Sequence, residues 1–483
     1  IRSLHVFWHN DTTIIIRDET PERKGMGAKQ RIYTAGVLYY TVLKIRTDFR
    51  KGRQEDVMER NDPRYQAYVE ILKEELIPAM GCTEPIALAY AAAKAREVLG
   101  VLPDSVQLQV SGSIIKNVKS VIVPNTGHLK GMEAAVAAGI IAGSAEKELE
   151  VISEVSEEKK SAIRDYLQTV PITIEHTEQG HVFDIVVTER CGQDYARVRI
   201  ADYHTNICRI EKNGTVLYEV PLLDETVQED ARADRGLLNM QDIWDFAETA
   251  DLRDVADLLE RQIRYNNAIA EEGLLGDYGA NIGRVLLTTY GNDVSNRAKA
   301  KAAAGSDARM NGCELPVIIN SGSDNQGITC SVPLIEYAKE LHSGKEKLYR
   351  ALIISNLVAI HEKTGIGTLS AYCGAVSAGA GAGAGIVYLC GDGYQAAIHT
   401  VVNALAIVSG IVCDGAKASC AAKIASSVDA ALLGYNMYKC NQELKGGDGI
   451  VMKDIETTIK GIGRLGKDGM RQTNEEIIRL MMS

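Results

Sequence analysis

From Asp62 onward the apolar residues recur at helical spacing. Tyr65, Val69, Leu72 and Leu76 share one face, Asp62-Pro63 is a start signal, and Pro78 ends the run. An Ala-rich stretch entered through Gly81-Cys82-Thr83-Glu84-Pro85 predicts a second helix that stops near Gly100. Between about Asp104 and Asp224 the period changes to two. Val106, Leu108 and Val110 alternate with polar residues, as do Phe183, Ile185 and Val187, then Ala196, Val198 and Ile200. Asn213-Gly214 between two such runs is a hairpin signal. Two helical stretches, Gly131–Ala142 and Ser156–Leu167, interrupt the strands, with Ser156 as an N-cap. After Asp224 the pattern is helical nearly throughout, broken by Gly-rich connections around 272–283, 320–327, 364–367, 391–393 and 446–449.

This pattern predicts an α+β fold. A mostly helical catalytic domain spans 226–483, and a smaller α+β domain (104–225) is inserted after an N-terminal helical segment (58–103). Residues 1–57 show no sustained periodicity and carry the basic run Arg23-Lys24-Gly25-Met26-Gly27, so they read as an N-terminal extension. A regulatory arm is the competing idea.

With 483 residues the chain exceeds one ordinary core, and its net charge of −11 argues against a nucleic-acid or anionic-membrane partner. The longest apolar stretch, Ala396 to Cys413, is interrupted by His399 and Asn403 and suits a buried helix better than a membrane span. Ten cysteines in so long a chain do not make a disulfide scaffold; reduced thiols of a cytoplasmic protein, some of them metal ligands, are the better account. The run Gly379-Ala380-Gly381-Ala382-Gly383-Ala384 lacks the preceding strand and following acid of a dinucleotide loop. Its small residues predict close approach of a helix to another backbone or to a cofactor.

Cys373, Cys413 and Cys420 lie in small-residue surroundings. Three thiolates can hold three corners of a [4Fe–4S] cluster and leave the fourth iron open as a Lewis acid. On a straight helix Cys413 and Cys420 would be roughly 10 Å apart. A turn at Gly415, with Cys420 in the first turn of the next helix, would bring them together. Buried core cysteines are the alternative. Cys82, just before a helix N-terminus, should have its thiol pKa lowered by the macrodipole, fitting it to remove a proton or join the cluster. Three polar segments are candidates for holding a small anion: Ser111–Asn117 with Val123–Gly127, Ser306–Met310, and Asn320–Gly327. Each could equally be a structural turn.

Taken in order, Gly81–Pro85, Lys116–Lys119, Val123–Gly127, Ser306–Met310, Ser321–Gly327, Ser370–Gly374, Cys413–Cys420 and Gly447–Val451 resemble the L-cysteine desulfidase family, which is related to the α-chain of iron–sulfur L-serine dehydratases. The resemblance runs from about Met58 to the C-terminus. It implies Cys373, Cys413 and Cys420 as cluster ligands, Cys82 as the base or a fourth ligand, and Ser321–Gly327 as the polar loop near the substrate. An amino acid needs donors for its carboxylate and acceptors for its ammonium, which Ser321, Asn325, Gln326, Asn117, Asn125 and Arg309 could supply. One departure is Asp324, where the family has Gly, which brings an extra carboxylate toward an anionic substrate. The single-chain serine dehydratases can also end in a cysteine that reaches the cluster, whereas this sequence ends Met481-Met482-Ser483. The implied reaction is α,β-elimination from L-cysteine to sulfide, ammonia and pyruvate, with L-serine dehydration as the nearest rival. A non-catalytic iron–sulfur redox sensor is the rival from another class, and structural zinc lacks a fourth ligand. The oligomeric state stays open, homo-oligomers included.

Overall fold

The computed structural model describes residues 4–9, 13–18, 58–79, 82–177, 181–222, 232–367 and 369–482. They fall into two compact units, Ile1–Val57 and Met58–Ser483. In the first unit, strands β1 (Leu4–His9) and β2 (Thr13–Asp18) pair antiparallel, in a segment where the sequence shows no sustained periodicity. The basic run Arg23–Gly27 lies outside the described residues.

The second unit opens with α1 (Pro63–Glu75), the short strand β3 (Pro78–Ala79) and α2 (Thr83–Leu99). Asp62 caps α1 by accepting from the Arg64 N–H, and Pro63 takes the first helical position. Next come β4 (Ser105–Ser111), α3 (Gly112–Val118), α4 (Gly131–Ala142) and α5 (Glu157–Thr169). Strands β5 (Ile172–Thr177), β6 (Asp184–Cys191), β7 (Asp194–Ala201), β8 (Ile207–Lys212) and β9 (Thr215–Glu219) complete a six-stranded sheet in the order β5-β4-β6-β7-β8-β9. Only β4 and β5 pair parallel among these neighbours. The alternation decides which face is covered. Leu108, Val110, Ile185, Val187, Val198 and Ile200 are all fully buried, and α2 packs against β6 and β7.

The remaining helices are α6 (Met240–Thr249), α7 (Ala256–Leu275), α8 (Ile282–Tyr290) and α9 (Val294–Met310). The strand β10 (Val317–Ile318) pairs antiparallel with β3. It is followed by α10 (Asp324–Glu340), α11 (Lys345–Ile366), α12 (Gly374–Cys390), α13 (Tyr394–Val408), α14 (Ser419–Lys439), α15 (Ile455–Arg464) and α16 (Arg471–Met482). The chain is therefore α+β and mostly helical.

The Gly/Ala run forms the centre of the helical layer. A Cβ on Gly381 would lie 2.4 Å from the Ser355 carbonyl oxygen of α11, and one on Gly379 would lie 2.8 Å from the Ser427 carbonyl carbon of α14. Alternate glycines thus let α12 touch backbones on two sides. No helix among the described residues is long and apolar enough to cross a membrane.

Candidate active site

Four helix N-termini meet at one small cavity. Cys82 is the N-cap of α2, Cys373 that of α12 and Ser323 that of α10, while Cys420 is the second residue of α14. All four line the same space of about 100 Å³, together with Cys413. The positive ends of four macrodipoles make this space favourable to negative charge.

The three later cysteines arrive by two routes. Residues 371–373 and 411–413 run antiparallel: the Cys373 N–H donates to Ile411 O (3.2 Å), and the Cys413 N–H donates to Ala371 O (2.6 Å). This backbone bridge sets Cys373 beside Cys413. α13 stops at Val408, five residues short of the expected end near Cys413, because the following backbone is used in that bridge. The chain then turns at Gly415, whose φ is +95° and whose missing Cβ would lie 2.1 Å from Lys116 O. Only glycine meets both conditions. The turn delivers Cys420 into the first turn of α14, where its Sγ lies 3.6 Å from Gly415 O.

The thiols feel one another. Burial pushes Cys373 up to about 11, with the neighbouring Cys413 charge adding to the shift. Burial likewise pushes Cys420 up to about 12, raised further by Cys373 and Cys413. Three lysines interact with these thiols. Burial lowers Lys116, against the attraction of Cys413 and Cys373. It brings Lys363 down to about 8 against the same pair. Lys423 is held up despite burial by Asp414, with Cys420 and Cys373 contributing. Burial thus favours the protonated thiols, while the charge of the three lysines eases the thiolate form that a metal ligand takes.

Cys82 differs from expectation. Its side chain is 2% exposed, with Sγ 3.9 Å from Met310 Sδ. Burial pushes its thiol well up, and Asp324 adds to this, so the helix dipole does not dominate as the sequence reading supposed.

The turn after β10 brings Ser321 to the cavity, the first turn of α10 brings Asn325 and Gln326, and α3 brings Asn117. Segment 112–118 is thus a helix following directly on β4, not a loop. Asn117 Nδ2 donates to Glu84 Oε1 (2.8 Å), leaving Asn117 Oδ1 buried and without a partner. Among the described residues Asn325 Oδ1, Gln326 Oε1 and His204 Nε2 likewise have no hydrogen-bond partner. Four unpartnered buried polar atoms on one cavity mark a ligand site.

Two predicted contacts lie elsewhere. Asn125 does not line this cavity; its amide donates to Ile152 O (2.9 Å), and its φ of +58° marks a tight turn. The Arg309 guanidinium is fully engaged by Asp324 Oδ2 (3.0 Å), Leu315 O (3.0 Å) and Ala79 O (2.8 Å). It braces α9 to the loop and pairs the extra carboxylate at Asp324, so that charge does not face the cavity alone.

Glu84 and His204 were not foreseen as site residues. Their Oε1–Nε2 separation of 3.9 Å is an ion-pair distance, too long for a hydrogen bond. Burial raises the Glu84 carboxyl, but His204 and Asn117 outweigh it and hold the group below its ordinary value. Their signal was weak, since Glu84 also reads as a helix cap and His204 sits in a connection. Ser321, Gly322, His204, Lys363, Leu369 and Ser370 line both this cavity and a cleft of about 2600 Å³ between sheet and helices.

Among the described residues no group of three or more His, Cys, Asp or Glu side chains is spaced for a single metal ion. Ligands to a polynuclear cluster bind separate irons and are spread more widely. Soft thiols, balancing lysines, converging helix ends and unpartnered amide oxygens fit an iron–sulfur cluster with a polar ligand beside it.

The sequence profile of the serine dehydratase alpha chain matches residues 146–479. A UPF0597 protein of Desulfitobacterium hafniense (strain Y51) is 61% identical over 426 residues, covering 88% of this chain and 99% of its own length. UPF0597 proteins of Lachnoclostridium phytofermentans and Treponema denticola are 52% and 46% identical over 419 and 430 residues, spanning 87% and 88% of this chain and all of their own. The cysteine-lined cavity thus sits in a chain that belongs to the serine dehydratase alpha chain family.

Proposed function

We propose that this serine dehydratase-like protein is a lyase that eliminates sulfide from L-cysteine, the 2-aminoacrylate product then taking up water to give pyruvate and ammonia. The observation that carries this reading is the cavity shared by Cys373, Cys413, Cys420, Cys82 and the unpartnered amides of Asn117, Asn325 and Gln326. Cys373, Cys413 and Cys420 would hold a [4Fe–4S] cluster. When bound, that group supplies an open iron acting as a Lewis acid toward the leaving group.

The chain's own residues do the rest. Ser321, Asn325, Gln326 and Asn117 bind the polar ends of the amino acid and orient its Cα–H. Cys82 keeps its proton in the buried site, gives it to the departing sulfur, and takes the Cα proton in exchange, ending again as a thiol. Hydrogen sulfide leaves with that proton, and the double bond forms between Cα and Cβ.

L-Serine is a second reading, favoured by the description of the family, with water leaving in place of hydrogen sulfide. Anaerobic protein with its iron and sulfide quantified, assayed side by side on L-cysteine and L-serine, decides between them. Cys413→Ser should abolish both visible absorption and turnover. A colourless, fully active protein would overturn the proposal.

A further inference from the structure

Behind Ser321 lies a chain of buried amides. Gln262, Asn320 and Asn356 are all 0% exposed. Asn356 Nδ2 donates to Leu352 O (2.8 Å) and to Gln262 Oε1 (2.9 Å). Leu352 O is a carbonyl and can only accept, so the Asn356 amide cannot be turned over. Asn356 Oδ1 is therefore an acceptor, and it receives Gln262 Nε2 (3.0 Å) and Asn320 Nδ2 (3.0 Å). Asn320 Nδ2 also reaches the Asn356 backbone carbonyl (3.4 Å), which fixes the Asn320 amide by the same logic. Its Oδ1 then faces Ser321, whose Oγ lies 2.9 Å away. An amide oxygen carries no proton, so Ser321 must donate. The hydroxyl has one proton and has spent it inside the protein.

We propose that Gln262, Asn356 and Asn320 are positioning residues that hold the Ser321 hydroxyl as a hydrogen-bond acceptor, and that Ser321 recognises the ammonium group of the amino acid and not its carboxylate. Both lone pairs of Ser321 are left for the cavity, which its side chain lines. An ammonium has three N–H donors to offer them, whereas a carboxylate has none. Ser321 cannot turn its proton outward without leaving Asn320 Oδ1 buried and unsatisfied. Asn117 presents an acceptor to the same cavity: one of its two amide N–H groups is committed to Glu84, and its Oδ1 has no hydrogen-bond partner among the described residues. The backbone supports the arrangement, since Ser321 sits at φ +49° in a turn closed by reciprocal Asn320–Ser323 backbone bonds of 3.0 and 3.1 Å.

The inference rests on the elimination reading and sharpens it to a selectivity for amino acids over their deaminated analogues. The test uses the full chain with its cluster reconstituted anaerobically. KM for L-cysteine is compared with the inhibition constant of 3-mercaptopropanoate, which keeps the carboxylate and thiol but lacks the ammonium. Ser321→Ala should weaken L-cysteine by about tenfold or more while moving 3-mercaptopropanoate by less than about twofold, as expected for one hydrogen bond to a charged group. Asn320→Ala, which frees the hydroxyl to donate, should narrow the same ratio with Ser321 still present. Should that variant fail to fold, Ser321→Ala carries the test alone. If both ligands weaken together, the hydroxyl serves the carboxylate and the inference fails. If neither moves, Ser321 touches no ligand and it fails again. A wild-type protein that neither turns over nor binds L-cysteine or L-serine sinks the elimination reading itself, a different result from either of these.

Discussion

Burial holds the Cys82 proton in place, so removing the thiol should separate turnover from cluster binding. Cys82→Ala should keep most of the visible absorption and lose about 10²–10⁴-fold in turnover, the range for one acid–base group; loss of both together would make Cys82 a cluster ligand instead. Glu189 offers a second test, one of stability. It follows Ile185 and Val187 on the inward face of β6, is fully buried, and neither of its carboxyl oxygens has a partner. Burial pushes its carboxyl well up, only tempered by Arg96. A raised folded-state value means the native protein holds a proton that the unfolded chain releases. Stability is then full below the unfolded value and falls as pH rises through the window between the two, by up to about 1.4 kcal/mol per pH unit. Glu189→Gln should flatten that dependence and raise the urea midpoint at pH 7; an unchanged pH profile would show that another group sets it. The sequence announced such residues unevenly. The cysteines stood out by spacing, and the alternation already put position 189 inward. Lys116 lay inside a segment already singled out, but Lys363 and Lys423 did not stand out, because a lysine in a helical pattern reads as solvent-facing until its neighbours are known.

Helix ends were the legible part of the elements. Asp62 and Ser156 cap their helices as expected, and Asn213-Gly214 joins β8 to β9, whereas Thr83 and Glu84, the expected caps of α2, lie inside the helix behind Cys82, which makes no side-chain cap bond. Elements without a local period were not legible. β1 and β2 match neither template, and β3 with β10 is a two-residue pairing between segments more than two hundred residues apart. The bridge between 371–373 and 411–413 is hidden for the same reason, although it aligns two of the proposed ligands. The Gly/Ala run was readable as a close-approach surface, but which helices it approaches was not. That contact invites a test: Gly381→Ala places a methyl against the Ser355 carbonyl and should cost about 1–3 kcal/mol in denaturant unfolding, as overpacking does. An equal stability would mean that α11 and α12 can slide apart freely.

Across the whole second unit, the cavity belongs to no single layer. α2 and α3 come from beside the sheet, and α10, α12 and α14 from the helical layer, so the site forms only when both are assembled. Asn325→Ala should raise KM for L-cysteine with the visible spectrum intact, since the amide faces the cavity and ligates nothing; unchanged kinetics would reduce the loop to a turn. The glycine-lined contacts of α12 have a further meaning for the life of the protein in air. Cys373 is anchored at the end of a helix whose packing on α11 and α14 involves no cavity residue at Gly379, Gly381 or Gly383. Small metal domains collapse when their ion is lost because nothing else defines the fold. Here α12 is also held by contacts at Gly379, Gly381 and Gly383 in which no cavity residue takes part. Protein stripped with a chelator should keep its far-ultraviolet circular dichroism and cooperative melting while losing all turnover, and should recover on addition of iron and sulfide. Oxidative damage would then be a matter of recharging an intact molecule, not of making a new one.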